Sequence, residues 1–218
     1  MPDGRGASSP LRNRFMPEFR CAAVILAAGA SSRLGQPKQL ILLDGESLLH
    51  RTARLAIEAG CAPVFVVLGF DADRMRVQLD GLPVEIVINP QWQEGMGSSL
   101  RSGMAAVWQT QPESASVLVL VCDQPRLSRE HLRDLLTRHN SDRPDRGIAI
   151  TASAYAGRAG VPAVFSASLF PELLASAGDQ GARNVIRAHV SEAESVPWPD
   201  GELDLDLPGD LGGTARQF

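Results

Sequence analysis

Apolar residues in this chain gather in short continuous runs, and stretches of helical periodicity lie between them. The runs 22–26, 64–68 and 117–121 are unbroken and rich in Val, Ile and Leu, and 84–88 has the same character around Glu85; all are too short for helices. Unbroken apolar runs of that length are expected of strands buried on both faces. Between them, 47–59, 71–79, 98–109 and 128–139 carry apolar residues at helical spacing, with Ser47 and Ser128 as N-caps and Gly60 as a stop. Residues 40–43 form a short extended piece ended by Asp44-Gly45, and Asn89-Pro90 closes the third run. Farther along, 147–151 and 161–165 read as strands joined by a loop of small residues, 153–160. Residues 168–175 and 181–189 read as helices, and Val196 and 203–205 as short extended pieces. Strands alternating with helices at this spacing predict an α/β fold, a Rossmann-like three-layer sandwich with a mostly parallel central sheet.

Composition narrows the class. The chain has 218 residues, enough for one large domain with a substantial core. We expect a disordered leader over 1–19, a single domain over 20–210 and a flexible tail over 211–218. A net charge of −4 gives no global basis for binding nucleic acid or an anionic membrane, so any phosphate site is local. No apolar run approaches the roughly 20 residues of a membrane span. Cys21, Cys61 and Cys122 are scattered without C-x-x-C spacing, which reads as reduced thiols in a cytoplasmic protein.

Candidate chemistry collects where runs end. In open parallel sheets, ligands bind outside the carboxyl ends of the strands. The first run empties into small residues carrying Arg33 and Lys38, and Lys38 is the only lysine in the chain. Small residues let backbone N–H groups approach an anion closely. Arg33 suits a forked contact to phosphate oxygens, and Lys38 supplies a compact point charge. The P-loop pattern is absent, because Gly35 is followed by Gln36-Pro37-Lys38-Gln39, and the dinucleotide pattern fails because Gly29 is followed by Ala30-Ser31. Asp123, directly after the 117–121 run, is the first candidate for Mg²⁺, which favours one or two carboxylates completed by phosphates and water.

Leu26-Ala-Ala-Gly-Ala-Ser-Ser-Arg-Leu-Gly35 with Pro37-Lys38 resembles the signature loop of the nucleotidyltransferases that activate sugars, isoprenoid precursors and molybdopterin. Four further stretches are similar to the molybdenum cofactor cytidylyltransferases: Asn89 to Gly95 with Ser98-Ser-Leu100, Cys122-Asp-Gln-Pro125, Gly160-Val-Pro162, and Gly178-Asp-Gln-Gly-Ala-Arg183. The resemblance implies transfer of CMP from CTP onto the terminal phosphate of molybdopterin with release of pyrophosphate, using Mg²⁺. It implies nucleotide contacts from Leu26, Ala27, Ala28, Gly29, Ser31, Arg33, Lys38 and Ser99, and acceptor contacts from Trp92, Gly95, Gly160, Pro162, Asp179 and Arg183. Arg33, Lys38 and Asp123 become the catalytic set. It further implies a transient contact with a molybdoenzyme or its chaperone. The closing stretch Leu203-Asp-Leu-Asp-Leu-Pro-Gly-Asp210 resembles the family's last acidic motif and offers Asp206, or Asp204, as the second metal ligand.

Alternatives stand beside these assignments. Asp123 could instead brace the Pro125 turn, Trp92 could plug a hydrophobic rim, and Arg183 could pair with Asp179. The acceptor could be a sugar phosphate or an isoprenoid phosphate, or the chain could be a non-catalytic molybdopterin-binding accessory protein. The four histidines fall on helices without metal-ligand spacing.

Overall fold

The computed structural model describes residues 20–31, 36–141 and 147–202. The strands are β1 (Cys21–Leu26), β2 (Leu42–Leu43), β3 (Glu46–Ser47), β4 (Val64–Leu68), β5 (Val84–Ile88), β6 (Ser116–Val121), β7 (Ile150–Tyr155), β8 (Arg158–Ser166) and β9 (Ala193–Pro197). The helices are α1 (Leu48–Glu58), α2 (Ala72–Val77), α3 (Met96–Thr110), α4 (Arg129–Asn140), α5 (Phe170–Leu174) and α6 (Ala182–Ala188). Seven strands form one sheet in the order β5-β4-β1-β6-β8-β7-β9, and β2 pairs with β3 apart from it. β8 runs antiparallel to both its neighbours; every other pairing in the sheet is parallel.

Both sheet faces are covered, as unbroken apolar strands require. On β1, Cys21, Ala23 and Ile25 join a core shared with α1 and α4 residues such as Leu49 and Leu135. Ala22, Val24 and Leu26 point the other way, into a core with Leu100 and Met104 of α3 and Ile186 of α6. A Cβ at Gly103 would run into Val24 and Val67, so this glycine lets α3 lie close against the sheet. Ser47 and Ser128 cap α1 and α4, accepting hydrogen bonds from the backbone N–H of His50 and His131.

The structure differs from the sequence reading along 153–160. Those residues belong to a β-hairpin, β7 turning at Ala156-Gly157 into β8, both turn residues having positive φ. The hairpin register shifts between Ala152 and Ser153: Ala152 pairs with Ala163, but Ser153 pairs with Gly160. Val161 and Pro162 are therefore extra residues on β8. Proline gives no N–H to a ladder, so a bulge is where a sheet tolerates it. β6 and β8 pair only as far as Val119 with Ala163, and beyond that point the sheet opens.

Candidate active site

Four segments meet at the carboxyl ends of β1, β4, β5 and β6. The first is the turn after β1. Ala27 N–H donates to Val67 at 3.0 Å, and Phe70 N–H donates to Ala28 at 3.0 Å, continuing the β1–β4 pairing past the strand ends. Gln39, buried in the 3-10 turn Lys38–Leu40, donates through Nε2 to the carbonyls of Ala27 (2.9 Å) and Gly29 (2.8 Å). Ser31, at φ 51°, accepts from the Lys38 backbone N–H at 3.1 Å. One glutamine thus ties the strand end to the lysine segment and holds two loop carbonyls. A Cβ at Gly29 would meet no protein atom within 4 Å. Packing does not demand glycine there; the open side is cavity, where a ligand needs close approach.

The second segment follows β6. Asp123 Oδ2 lies 3.1 Å from Lys38 Nζ, joining two parts of the chain 85 positions apart. Both side chains are partly buried. Next to this pair, burial pushes the Cys122 thiol up to about 12, so it is an inert core sulfur.

The third segment links β5 to α3. Asn89, 1% exposed, donates through Nδ2 to Ser98 Oγ (2.9 Å) and Ser99 Oγ (3.1 Å), and its Oδ1 accepts from Gln91 N–H at 2.9 Å. It fixes the start of α3, whose Met96 and Ser99 line the cavity. Trp92 sits flat against Gly69, where any Cβ would collide with it, and meets Phe70 edge-on at 5.7 Å.

The fourth segment is the loop before α6. Gly97 N–H donates to Gly178 at 2.7 Å, and Arg101 holds the Ser176 carbonyl at 2.9 Å. Gly95 has φ 105°, and a Cβ there would strike the Asp179 carboxylate and the Gly178 carbonyl. The start of α3 and the Asp179 loop are built to touch.

These segments enclose a cavity of about 430 Å³ lined by Leu26, Ala27, Ala28, Gly29, Ser31, Lys38, Trp92, Gly95, Ser99, Asp123 and Asp179. A second chamber of about 130 Å³ adjoins it, sharing Leu26, Met96, Val121, Asp123 and Asp179 and adding Gln124, Tyr155, Val161 and Arg183. The bulge supplies its wall. Val161 lines it, and the Val161 carbonyl accepts from Tyr155 OH (2.9 Å) and Gln124 Nε2 (3.1 Å). Gly160 and Pro162 stand behind that wall: Gly160 packs on the Tyr155 hydroxyl, and the Pro162 carbonyl accepts from Ser153 Oγ at 2.7 Å. Ser153 in turn accepts from His131 Nε2 at 2.7 Å, and the His131 ring stacks on Trp198.

Arg33 and Asp206, with its alternative Asp204, lie outside the described residues. Asp179 and Arg183 form no ion pair with each other; Asp179 faces both chambers and Arg183 the smaller one. Asn89, Gln39, Gln124 and Tyr155 escaped the sequence reading. Asn89 was visible there as a strand end and the first letter of a motif, and Gln124 as one letter of another, neither with a role attached.

Among the described residues, no group of three or more His, Cys, Asp or Glu side chains could hold a metal ion. Asp123 alone fits the hard-cation pattern in which one carboxylate is completed by substrate phosphates and water. Its Oδ2 faces Lys38, and Oδ1 takes no hydrogen bond among the described residues. No described helix is long and apolar enough to cross a membrane.

A mostly parallel sheet with a cation and a carboxylate paired across its strand ends, beneath a small-residue loop, defines a nucleotidyltransferase-type protein. The profile of the MobA-like NTP transferase domain matches residues 23–193, and the chain belongs to that family and is a nucleotidyltransferase. Among curated proteins it is 37% identical to nicotine blue oxidoreductase of Paenarthrobacter nicotinovorans over 173 residues, which is 75% of this chain and 80% of that one. It is 28% identical to the purine catabolism protein PucB of Bacillus subtilis over 205 residues, covering 88% and 95% of the two chains. Among solved structures, Rv0371c of Mycobacterium tuberculosis superposes with a TM-score of 0.76 at 25% identity, covering 91% of this chain and 99% of that one. The same protein has also been solved as a complex with manganese.

Proposed function

We propose that this protein transfers CMP from CTP to the terminal phosphate of molybdopterin and releases pyrophosphate, with Mg²⁺ as the metal. The observation that carries the reading is the Lys38–Asp123 pair at 3.1 Å, placed where two joined chambers meet. The larger chamber, floored by Ala27, Ala28 and Gly29, suits the nucleotide. The smaller, with the half-buried Arg183 guanidinium, suits a phosphorylated acceptor. In the reaction an acceptor phosphate oxygen forms a bond to the α-phosphorus. The α–β bridging P–O bond breaks, and its electron pair leaves with pyrophosphate.

Charge accumulates on the transferring group and on the leaving pyrophosphate, so catalysis is chiefly positioning and electrostatic stabilisation. Lys38 supplies a point charge for the triphosphate, with Arg33 as a second cation. Asp123 would hold the metal, Asp206 or Asp204 would complete it, and the ion would neutralise phosphate charge. Ser99, oriented by Asn89, faces the nucleotide chamber and suits a contact to the base. The product would pass to a molybdoenzyme or its chaperone in the cytoplasm.

Incubation with CTP, Mg²⁺ and molybdenum-loaded molybdopterin should release pyrophosphate, faster than with the other three NTPs. Absence of release with any NTP and this acceptor overturns the reading. The same assay with labelled CTP and sugar-phosphate or isoprenoid-phosphate acceptors tests the nearest alternative. An Asp123→Ala protein that still delivers molybdopterin, from a wild type without turnover, would establish the accessory role instead. One relative is named nicotine blue oxidoreductase, and a fold carries many chemistries, so a redox assay belongs in the same set.

A further inference from the structure

Trp92 is half-buried and lines the larger chamber, the one aromatic side chain to do so among the described residues. The resemblance implied an acceptor contact for it, yet the chamber it borders is the one that suits the nucleotide. The two chambers share Leu26, Met96, Val121, Asp123 and Asp179. The phosphorus under attack belongs at that junction, beside the Lys38–Asp123 pair. Trp92, Gln93 and Ser99 line the larger chamber alone, and all three are uncharged. With the triphosphate drawn to Lys38, a bound nucleotide has its base left for this uncharged segment.

The indole is held in place before any ligand arrives. A Cβ at Gly69 would lie 2.6 to 2.8 Å from Trp92 Cβ, Cγ and Cδ1, so glycine lets the two segments pack this closely. The Phe70 ring meets the indole edge-on at 5.7 Å, and Trp92 also packs against the core that contains Leu100 and Met104. A ring ordered in advance loses little freedom when a planar ligand lies on it.

We infer that Trp92 is a nucleotide-binding residue, its pinned indole the surface on which the base of the nucleoside triphosphate stacks. This rests on the assignment of the larger chamber to the nucleotide. Stacking on an aromatic ring is an uncharged contact, so it complements Lys38, which meets only the phosphates. The β5–α3 segment then divides its work: Trp92 supplies the apolar face and Ser99 a polar edge.

The test is titration calorimetry with CTP and with tripolyphosphate, each with Mg²⁺, on wild type, Trp92→Leu and Trp92→Phe. Trp92→Leu should weaken CTP binding by about tenfold. Trp92→Phe keeps a ring and should lose no more than about threefold. Tripolyphosphate carries the charge without the base, and both variants should bind it within about twofold of wild type. CTP should also quench the tryptophan emission of wild type, and the quenching should vanish in Trp92→Phe, which retains Trp108 and Trp198. An unchanged CTP affinity in Trp92→Leu, equal losses for CTP and tripolyphosphate, or quenching that survives in Trp92→Phe overturns the inference. A Trp92→Phe protein as weak as Trp92→Leu overturns it too, because a ring that merely plugs the rim need not be aromatic. So does a loss confined to the acceptor, read as a raised KM for molybdopterin at saturating CTP. Melting curves show whether the variants fold, and if Trp92→Leu does not, the quenching comparison with Trp92→Phe decides. Pyrophosphate release from CTP and molybdopterin is measured alongside. Release by wild type with no Trp92 effect on CTP leaves the function standing and removes this inference. The expected Trp92 pattern without release does the reverse, and a wild type that binds no CTP removes both.

Discussion

Lys38 and Asp123 come from segments 85 positions apart and meet at 3.1 Å in a partly screened site. Such a pair contributes little to folding, of order 1 kcal/mol or less; its value lies in where it puts two opposite charges. Asp123→Asn and Lys38→Met should each lower kcat for pyrophosphate release by about a hundredfold or more while the melting temperature hardly moves. Gln39 has the opposite profile. Removing its amide in Gln39→Met leaves the Ala27 and Gly29 carbonyls without their donor, at a cost of about 1–3 kcal/mol. That variant should melt earlier and bind CTP more weakly together, as calorimetry would show. A polar residue in a 3-10 turn has no periodicity to announce it, and nothing in the sequence separated Gln39 from the other glutamines. Lys38 stands out because charge in a small-residue loop is chemically unusual; Gln39 matters only through two carbonyls that the fold brings to it.

Elements were most legible where burial alone decides them. β1, β4 and β6 are continuous apolar runs covered on both faces, and the structure forms them close to the expected bounds. Only the stretch 153–160 of the β7–β8 hairpin reads as a loop, because Ser153, Ala154, Ala156 and Gly157 carry little apolar signal; pairing across the hairpin and of Ser153 and Ala154 with β9 makes it strand. Tertiary pairing outweighed local propensity there. The junction between α3 and the Asp179 loop gives a test at this scale. Gly95→Ala places a side chain at φ 105° and against Asp179, so it should destabilise the protein by about 1–3 kcal/mol. Denaturant midpoints would measure this, and acceptor affinity should fall with them.

At the scale of the whole molecule, two histidines tilt stability with pH in opposite senses. Burial pushes His131 down to about 4, below the roughly 6.5 of an unfolded histidine. The unfolded chain therefore takes up the proton first. Stability from a neutral His131 is present above about pH 6.5 and lost as pH falls towards 4. His189 lies between the Glu172 and Glu192 carboxylates, which raise it. Its small, solvent-screened contribution is present below about pH 6.5 and lost as pH rises through the folded value. Melting curves should show His131→Phe losing less stability than wild type between about pH 7 and 4.5. His189→Gln should cost more at about pH 5.5 than at about pH 9. CTP with Mg²⁺ should raise the melting temperature, since saturation at about a hundredfold over Kd adds about 2.7 kcal/mol.

β8 is the one strand of the large sheet that runs against its neighbours, and the hairpin it forms with β7 contributes Tyr155 and Val161 to the smaller chamber. The nucleotide chamber takes its floor from β1, on the other side of β6. On the proposed reading, substitutions at Tyr155 and Val161 in this one hairpin would alter which acceptor is held, while the floor laid by Ala27, Ala28 and Gly29 stays as it is. A chimera carrying a relative's hairpin on this scaffold should keep its CTP affinity and take on the relative's preference for a partner substrate.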